Sequence, residues 1–298
     1  MKIKKPNFLI IGAMKAATTS LYSYLRQHPE IFMPTIKEPM FFNNIISRGK
    51  KGKGVRRKKI KSIQEYYNLF EKVENEKAIG EASPGYIYNK ECPNLIKENL
   101  EDVKIIAILR QPVRRAYSNF LHAKRAGKEP ISDFISAFDA EDERIRDEWE
   151  ALYHYKSKGY YFTQLKRYYD TFAEKDIKII LFEDFITQPK ETLKDLFAFL
   201  NVDDSFIVNT NKKANVSGSP KGILGWIVMK MRYYQIYPNI EFSQILSKPI
   251  LEIIKKIIYS EPKKIQEDTV RQLTNLHYIE EIKSLQVLIK RDLTKWLR

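Results

Sequence analysis

Residues 12 to 20, Gly-Ala-Met-Lys-Ala-Ala-Thr-Thr-Ser, place one lysine and three hydroxyls directly after the apolar run Phe8 to Ile11. Leu21, Tyr24 and Leu25 follow at helical spacing, so the stretch reads as strand, loop, helix. Backbone N–H groups at a helix start have no partner within the helix and attract an anion. Lys15 adds a point charge inside the loop, Thr18, Thr19 and Ser20 add hydroxyl donors, and Ala16 and Ala17 contribute backbone. The match to a Walker A loop, G-x-x-x-x-G-K-[ST], is partial, because Ala17 stands five residues after Gly12 and the lysine has moved forward. On the loop alone, the alternative is an ordinary βα turn with Thr18 or Thr19 capping the helix.

A second chemical signal lies in "AILRQPVRRAYSNF". A nucleotide hydrolase often ends a later strand in an acid that holds magnesium, whereas this strand ends in Arg110. A guanidinium there suits a second phosphate group, gripped bidentately. Pro112 opens the next helix, and Ser118 follows one to two turns in, where its hydroxyl reaches the same anion. Arg114 and Arg115 are nearby and read equally well as surface charges. Two anion sites on neighbouring strand ends are therefore expected, one at Lys15 and one at Arg110.

Positioning these groups requires a sheet. Phe8 to Ile11, Val103 to Leu109 and Ile177 to Phe182 are continuous apolar runs of the kind buried parallel strands show, and "KAIGEAS" around Ile79 is a weaker fourth. Helical patterns at Leu21 to His28, Ala116 to Ala126 and Thr163 to Phe172 lie between them. The expected fold class is α/β, with a P-loop-like parallel β-sheet flanked by helices and ligands at the carboxyl ends of the strands. After Pro220 the pattern is helical only, with one stripe at Ile250, Ile253, Ile254, Ile257 and Ile258 and another at Ile282, Leu285, Ile289, Leu293 and Trp296. The expected organisation is a single domain over 1–298, an α/β core at 1–222 with a C-terminal helical extension at 223–298 packed on it.

Composition narrows the class of partner. The net charge of +15 calls for an anion, and nine basic residues with no acid fall between Arg48 and Lys61. That segment reads as a solvated loop or as a patch for an acidic glycan, a nucleic acid or an anionic membrane. It carries no aromatics, which argues against base stacking, so no nucleic-acid partner is expected. A lone cysteine, Cys92, precludes an internal disulfide and fits a reducing compartment. With no signal peptide and no membrane-length apolar run, the expected location is cytoplasmic, with peripheral contact at a membrane left open. His28, His122, His154 and His277 are scattered without metal-ligand spacing, so no metal is expected.

"IIGAMKAATTSLYSYLRQHPEIFMPTIKEPMFF" together with "LRQPVRRAYSNFLH" resembles the sulfotransferases that use 3′-phosphoadenosine 5′-phosphosulfate (PAPS), particularly their heparan-type and bacterial carbohydrate-modifying branch. Similarity continues through "GEASPGYIY", "GYYFTQLKRYYDTF", "IILFEDF" and "NKKANVSGSPKG", so it covers Pro6 to about Gly222. The resemblance implies that the first loop grips the 5′-phosphosulfate while Arg110 and Ser118 grip the 3′-phosphate. It implies that Lys15 neutralises the leaving phosphate, with Thr18 and Thr19 donating to the same oxygens and no metal required. It also implies that Glu38, just before Phe41 and Phe42, is the base for the acceptor, its proton affinity raised by burial beside those rings. His122 is the alternative base, and the competing structural role for Glu38 is an ion pair with Lys37 or Lys15. Lys212, Lys213 or Lys221 in the late loop would lie near the cofactor phosphate. Three departures from the family pattern bear on the acceptor more than on the reaction: Ala17 replaces a usual glycine, Met40 a histidine, and Ala82 a lysine that contacts sulfated glycans.

The implied activity is transfer of a sulfuryl group to a hydroxyl or amine of a carbohydrate, glycolipid or other small acceptor. Two other readings compete. A P-loop kinase or NTPase would use Glu183 and Asp184 at a strand end for magnesium. A non-enzymatic nucleic-acid or membrane-surface binder would depend on the basic patch and be indifferent to Lys15.

Overall fold

The computed structural model describes residues 4–44, 60–210, 219–220, 222, 259–260 and 263–298. Five parallel strands form the sheet: β1 (Phe8–Gly12), β2 (Ile31–Phe32), β3 (Ala78–Ala82), β4 (Lys104–Leu109) and β5 (Ile177–Leu181). Their order is β2-β3-β1-β4-β5. The four expected strands all form; β1 and β4 beyond Lys104 are buried along their length, as their unbroken apolar runs require, and β3 is buried too although Glu81 interrupts it. The two-residue β2, at the sheet edge, is too short to leave a pattern in the sequence.

Helices surround the sheet: α1 (Thr18–Leu25), α2 (Phe41–Asn44), α3 (Ile63–Tyr67), α4 (Cys92–Asn99), α5 (Pro112–Arg125), α6 (Phe134–Asp139), α7 (Glu141–Arg146), α8 (Tyr161–Tyr169), α9 (Phe182–Thr187) and α10 (Pro189–Leu200). Two further helices, α11 (Glu267–His277) and α12 (Ile279–Ile289), end the chain with a short turn at Thr294–Trp296. Ser219–Pro220 pairs antiparallel with Tyr259–Ser260. Among the described residues no helix is long and apolar enough to cross a membrane.

Topology sets where a ligand goes. The connection from β1 runs through α1 to one edge of the sheet, and the connection from β4 runs through α5 to the other edge. Between these adjacent strands the direction of winding reverses, which opens a crevice at their carboxyl ends. Gly12 ends β1 against this crevice, and a Cβ there would run into the Ile87 side chain, so the close approach of the segment after β3 needs glycine.

The second apolar stripe of the extension packs as expected: Ile282, Leu285, Leu293 and Trp296 are buried in the same core as the sheet. Polar contacts also fasten it. Gln111 Nε2, at the start of α5, donates to Thr274 Oγ1 at 2.7 Å, and Tyr278 Oη donates to the Lys156 carbonyl at 2.8 Å. The first stripe, Ile250 to Ile258, lies outside the described residues, as does the patch from Arg48 to Lys59. Trp296 packs on Tyr161, whose hydroxyl donates to the Arg110 carbonyl at 2.9 Å, so the chain end supports the β4 terminus. Trp296→Ala is expected to cost about 3 kcal/mol or more of stability, read as a lower denaturation midpoint at unchanged slope.

Candidate functional site

The loop after β1 is built on two left-handed residues, Lys15 (φ 70°) and Ala17 (φ 69°), and α1 starts at Thr18 with no side-chain cap. The capped-turn alternative is thus not what forms: Thr18 and Thr19 do not close the helix end, and the first-turn N–H groups stay available. The helix begins three residues earlier than Leu21, because the threonines and serine extend it to the loop. Ala16 is buried beneath, and Lys15, Thr19 and Ser20 are half-buried.

Arg110 closes the other side of the crevice. Its Nη1 donates to the Lys15 carbonyl at 3.3 Å, tying the β4 end to the β1 loop, and its guanidinium lies 4.5 Å from the Phe182 ring centroid. Its Nε is buried without a hydrogen-bond partner. Ser118 sits half-buried on α5, and its hydroxyl bonds neither Arg110 nor another described residue. Ser118, His122 and Arg125 recur at i, i+4 and i+7 on one face of α5. His122 and Arg125 act electrostatically on Lys15, so this face borders the loop. Burial first, then the nearby Arg125 and Arg110, lowers the Lys15 ammonium from its usual 10.5 to about 8, with Glu38 opposing them. Burial, with Lys15 next, pushes His122 down to about 4, leaving a neutral imidazole whose Nδ1 is buried and unpartnered.

Glu38 belongs to the same electrostatic group, coupled to Lys15, His122 and Glu81. It forms the ion pair with Lys37 that is its competing structural role, Nζ to Oε1 at 2.5 Å, with both side chains partly exposed. Phe41 and Phe42 turn into the core against Tyr66 and Tyr86 rather than enclosing Glu38. The carboxylate enclosed by that aromatic cluster is Glu81 on β3, fully buried and pushed up to about 7 by burial.

Sequence reasoning missed three groups here. Arg125 was legible from its helical spacing to Ser118. Glu81 stands in a strand and had no signal beyond being a charge in an apolar run. Lys158 is buried with Nζ 3.5 Å from Met14 Sδ in the β1 loop, and burial, with Arg115 close by, lowers it to about 7. Of the two uncertain arginines, Arg114 is a surface charge paired with Glu267, whereas Arg115 is fully buried and donates to the Tyr155 carbonyl. Lys212, Lys213 and Lys221 lie outside the described residues. The chain leading to them is held along α1, where Tyr24 Oη donates to the Thr210 carbonyl at 3.0 Å. Glu183 and Asp184, the magnesium pair of the kinase reading, are engaged by the chain end: Glu183 accepts from Trp296 Nε1 and Asp184 pairs with Arg291. Among the described residues no three His, Cys, Asp or Glu side chains gather as a metal site.

A parallel sheet with a cationic, N–H-lined crevice at its switch point is the framework of an enzyme that handles phosphorylated or sulfated groups. Residues 6–205 match the Sulfotransferase family, and the chain belongs to that family. A crystal structure of a sulfotransferase from Alicyclobacillus acidocaldarius is 30% identical, covers 99% of this chain and 100% of its own, and superposes with a TM-score of 0.77. The membrane-associated sulfotransferase kil1 of Dictyostelium discoideum is 36% identical over 115 residues, 39% of this chain and 22% of that protein. The human bifunctional heparan sulfate N-deacetylase/N-sulfotransferase 3 is 29% identical over 208 residues, 66% of this chain and 22% of that protein. The chain thus spans about a fifth of the length of these two relatives.

Ala17 occupies a left-handed position where alanine costs about 1 kcal/mol or more and glycine does not. The greater freedom of glycine in the unfolded chain offsets part of that, by roughly 0.5–1 kcal/mol. Ala17→Gly is expected to leave stability equal or raise it by roughly 0.5 kcal/mol, measured by urea denaturation; a clear loss would contradict the described loop.

Proposed function

We propose that this chain transfers a sulfuryl group from PAPS to a hydroxyl or amine of a carbohydrate-type acceptor. The observation that carries the reading is the pair of partly buried cations, Lys15 and Arg110, tied together across the ends of adjacent strands. Two buried like charges are unfavourable in isolation and become favourable when a polyanion lies between them. The unpartnered Arg110 Nε and the free first turn of α1 are donors that such an anion would satisfy, so the residues present fit a nucleotide carrying phosphate at both ends.

When bound, PAPS supplies the sulfuryl group and a phosphate leaving group. Lys15, with the N–H groups and hydroxyls of Thr18, Thr19 and Ser20, neutralises charge growing on that phosphate. Arg110, with Ser118, holds the 3′-phosphate and fixes the register of the nucleotide. Glu38 takes the proton from the acceptor hydroxyl or amine. It is paired with Lys37 and close enough to Lys15 to act on its charge. Lys212, Lys213 and Lys221 are assigned to the nucleotide from the family pattern. The acceptor class rests on relatives whose names specify heparan sulfate and other carbohydrates.

Calorimetric titration in chelator tests the donor site. 3′-Phosphoadenosine 5′-phosphate should bind tightly to the wild type, ATP weakly, and Arg110→Ala should lose about tenfold or more in affinity for the bisphosphate. Metal-dependent binding of ATP instead would support the kinase reading.

Lys15 gives this binding a pH signature. The free ammonium is lowered to about 8, and an anion against it draws the value back up. Above the second ionisation of the ligand's phosphates, at about pH 6, affinity should therefore level off and then fall by up to about tenfold per pH unit above pH 8, with proton uptake on binding there. In Lys15→Ala that slope should vanish.

Glu38→Gln should lower kcat by about 100-fold or more while nucleotide affinity stays near wild type. Wild-type turnover in that variant would remove Glu38 from the reaction and direct attention to His122.

A further inference from the structure

Glu81 is a fully buried carboxylate that the proposed reaction does not use. Its partners are hydroxyls: Ser83 Oγ donates to Oε2 at 2.8 Å and Tyr66 Oη donates to Oε1 at 3.3 Å, while the Tyr86 hydroxyl is near enough to feel its charge. Two of these hydroxyls face the segment that carries Glu38. Ser83 Oγ accepts from the Met40 N–H at 2.9 Å, and Tyr86 Oη accepts from the Phe42 N–H at 3.4 Å. A hydroxyl has a single proton, and by taking that of Ser83 the Glu81 carboxylate leaves the Ser83 oxygen lone pairs to accept from the loop.

The loop needs such an anchor. Glu38 and Met40 both sit in the left-handed region, with φ of 58° and 54°, conformations that non-glycine residues hold only under external constraint. A carboxylate buried among hydroxyls, with no cation among its described partners, is an expensive way to fill a core. In its ionised form it is a stronger acceptor than an amide would be, and as an acceptor it takes the Ser83 proton and so sets which way that hydroxyl points.

We infer that Glu81 is a positioning residue, which through Ser83 fixes the loop at Met40 and so aims the Glu38 carboxylate at the acceptor. This inference rests on the reading of Glu38 as the base. Glu81 touches neither nucleotide nor acceptor in this account, and its effect reaches the reaction only through the loop.

The test is a double-mutant cycle on Ser83, the link, with Glu81→Gln alongside. Turnover is measured with PAPS and an unsulfated glucosamine–glucuronate oligosaccharide bearing free amines, and 3′-phosphoadenosine 5′-phosphate affinity and melting temperature are measured on the same samples. Ser83→Ala should lower kcat about tenfold, with nucleotide affinity within about twofold, and Ser83→Thr, which keeps the hydroxyl, should recover most of it. In a Glu38→Gln background, Ser83→Ala should cause no further loss, because the group it aims is gone. Equal losses in both backgrounds, or no loss in either, would overturn the inference. Wild-type turnover in Glu38→Gln alone would instead overturn the base assignment beneath it.

Discussion

Lys15 and Arg110 stand on adjacent strand ends, each partly removed from water, and the remaining architecture follows from keeping them there. Desolvation and mutual repulsion work against this arrangement, and the lowered proton affinity of Lys15 registers both. The fold meets the cost with backbone. Arg110 spends one guanidinium N–H on the Lys15 carbonyl and lies over Phe182, while its own carbonyl is held by Tyr161. Tyr161 is backed by Trp296 from the last turn of the chain, so the α11–α12 extension is part of what holds the crevice.

The Glu38 segment is organised differently. Around Glu38 the backbone is bent into left-handed conformations, and the Ser83 hydroxyl, which donates to the buried Glu81, accepts from the Met40 N–H. The β1 and β4 ends thus carry cations, and the bent loop carries a carboxylate close enough to act on Lys15. Sulfuryl transfer needs both: charge neutralisation on the leaving side and a proton acceptor on the attacking side.

Much of this was legible in the sequence, for identifiable reasons. Buried parallel strands leave unbroken apolar runs, so β1, β4 and β5 were found within a residue of their ends. Lys15 and Arg110 follow directly from those runs, so their placement came with the strands. β2 is two residues long and gave no pattern. Thr18 to Ser20 interrupt the apolar period and so look like loop in the sequence, although they form the first turn of α1. Glu81, Lys158 and Arg115 were missed or misjudged because a charge in the chain reads as surface. Only the tertiary structure shows that hydroxyls, a methionine sulfur and a backbone carbonyl receive them. Phe41 and Phe42 were expected to enclose Glu38, but an aromatic pair buries where a cavity is already lined with rings, and Tyr66 and Tyr86 line one.

The most direct test of the account is a crystal structure of this protein with 3′-phosphoadenosine 5′-phosphate. The 5′-phosphate should lie in the loop at residues 12–18 against Lys15 and the α1 N-terminus, with the 3′-phosphate on Arg110 and Ser118. A nucleotide bound away from the β1/β4 crevice, or in it with the two phosphates exchanged, would contradict the assignment of the two cations on which the account stands.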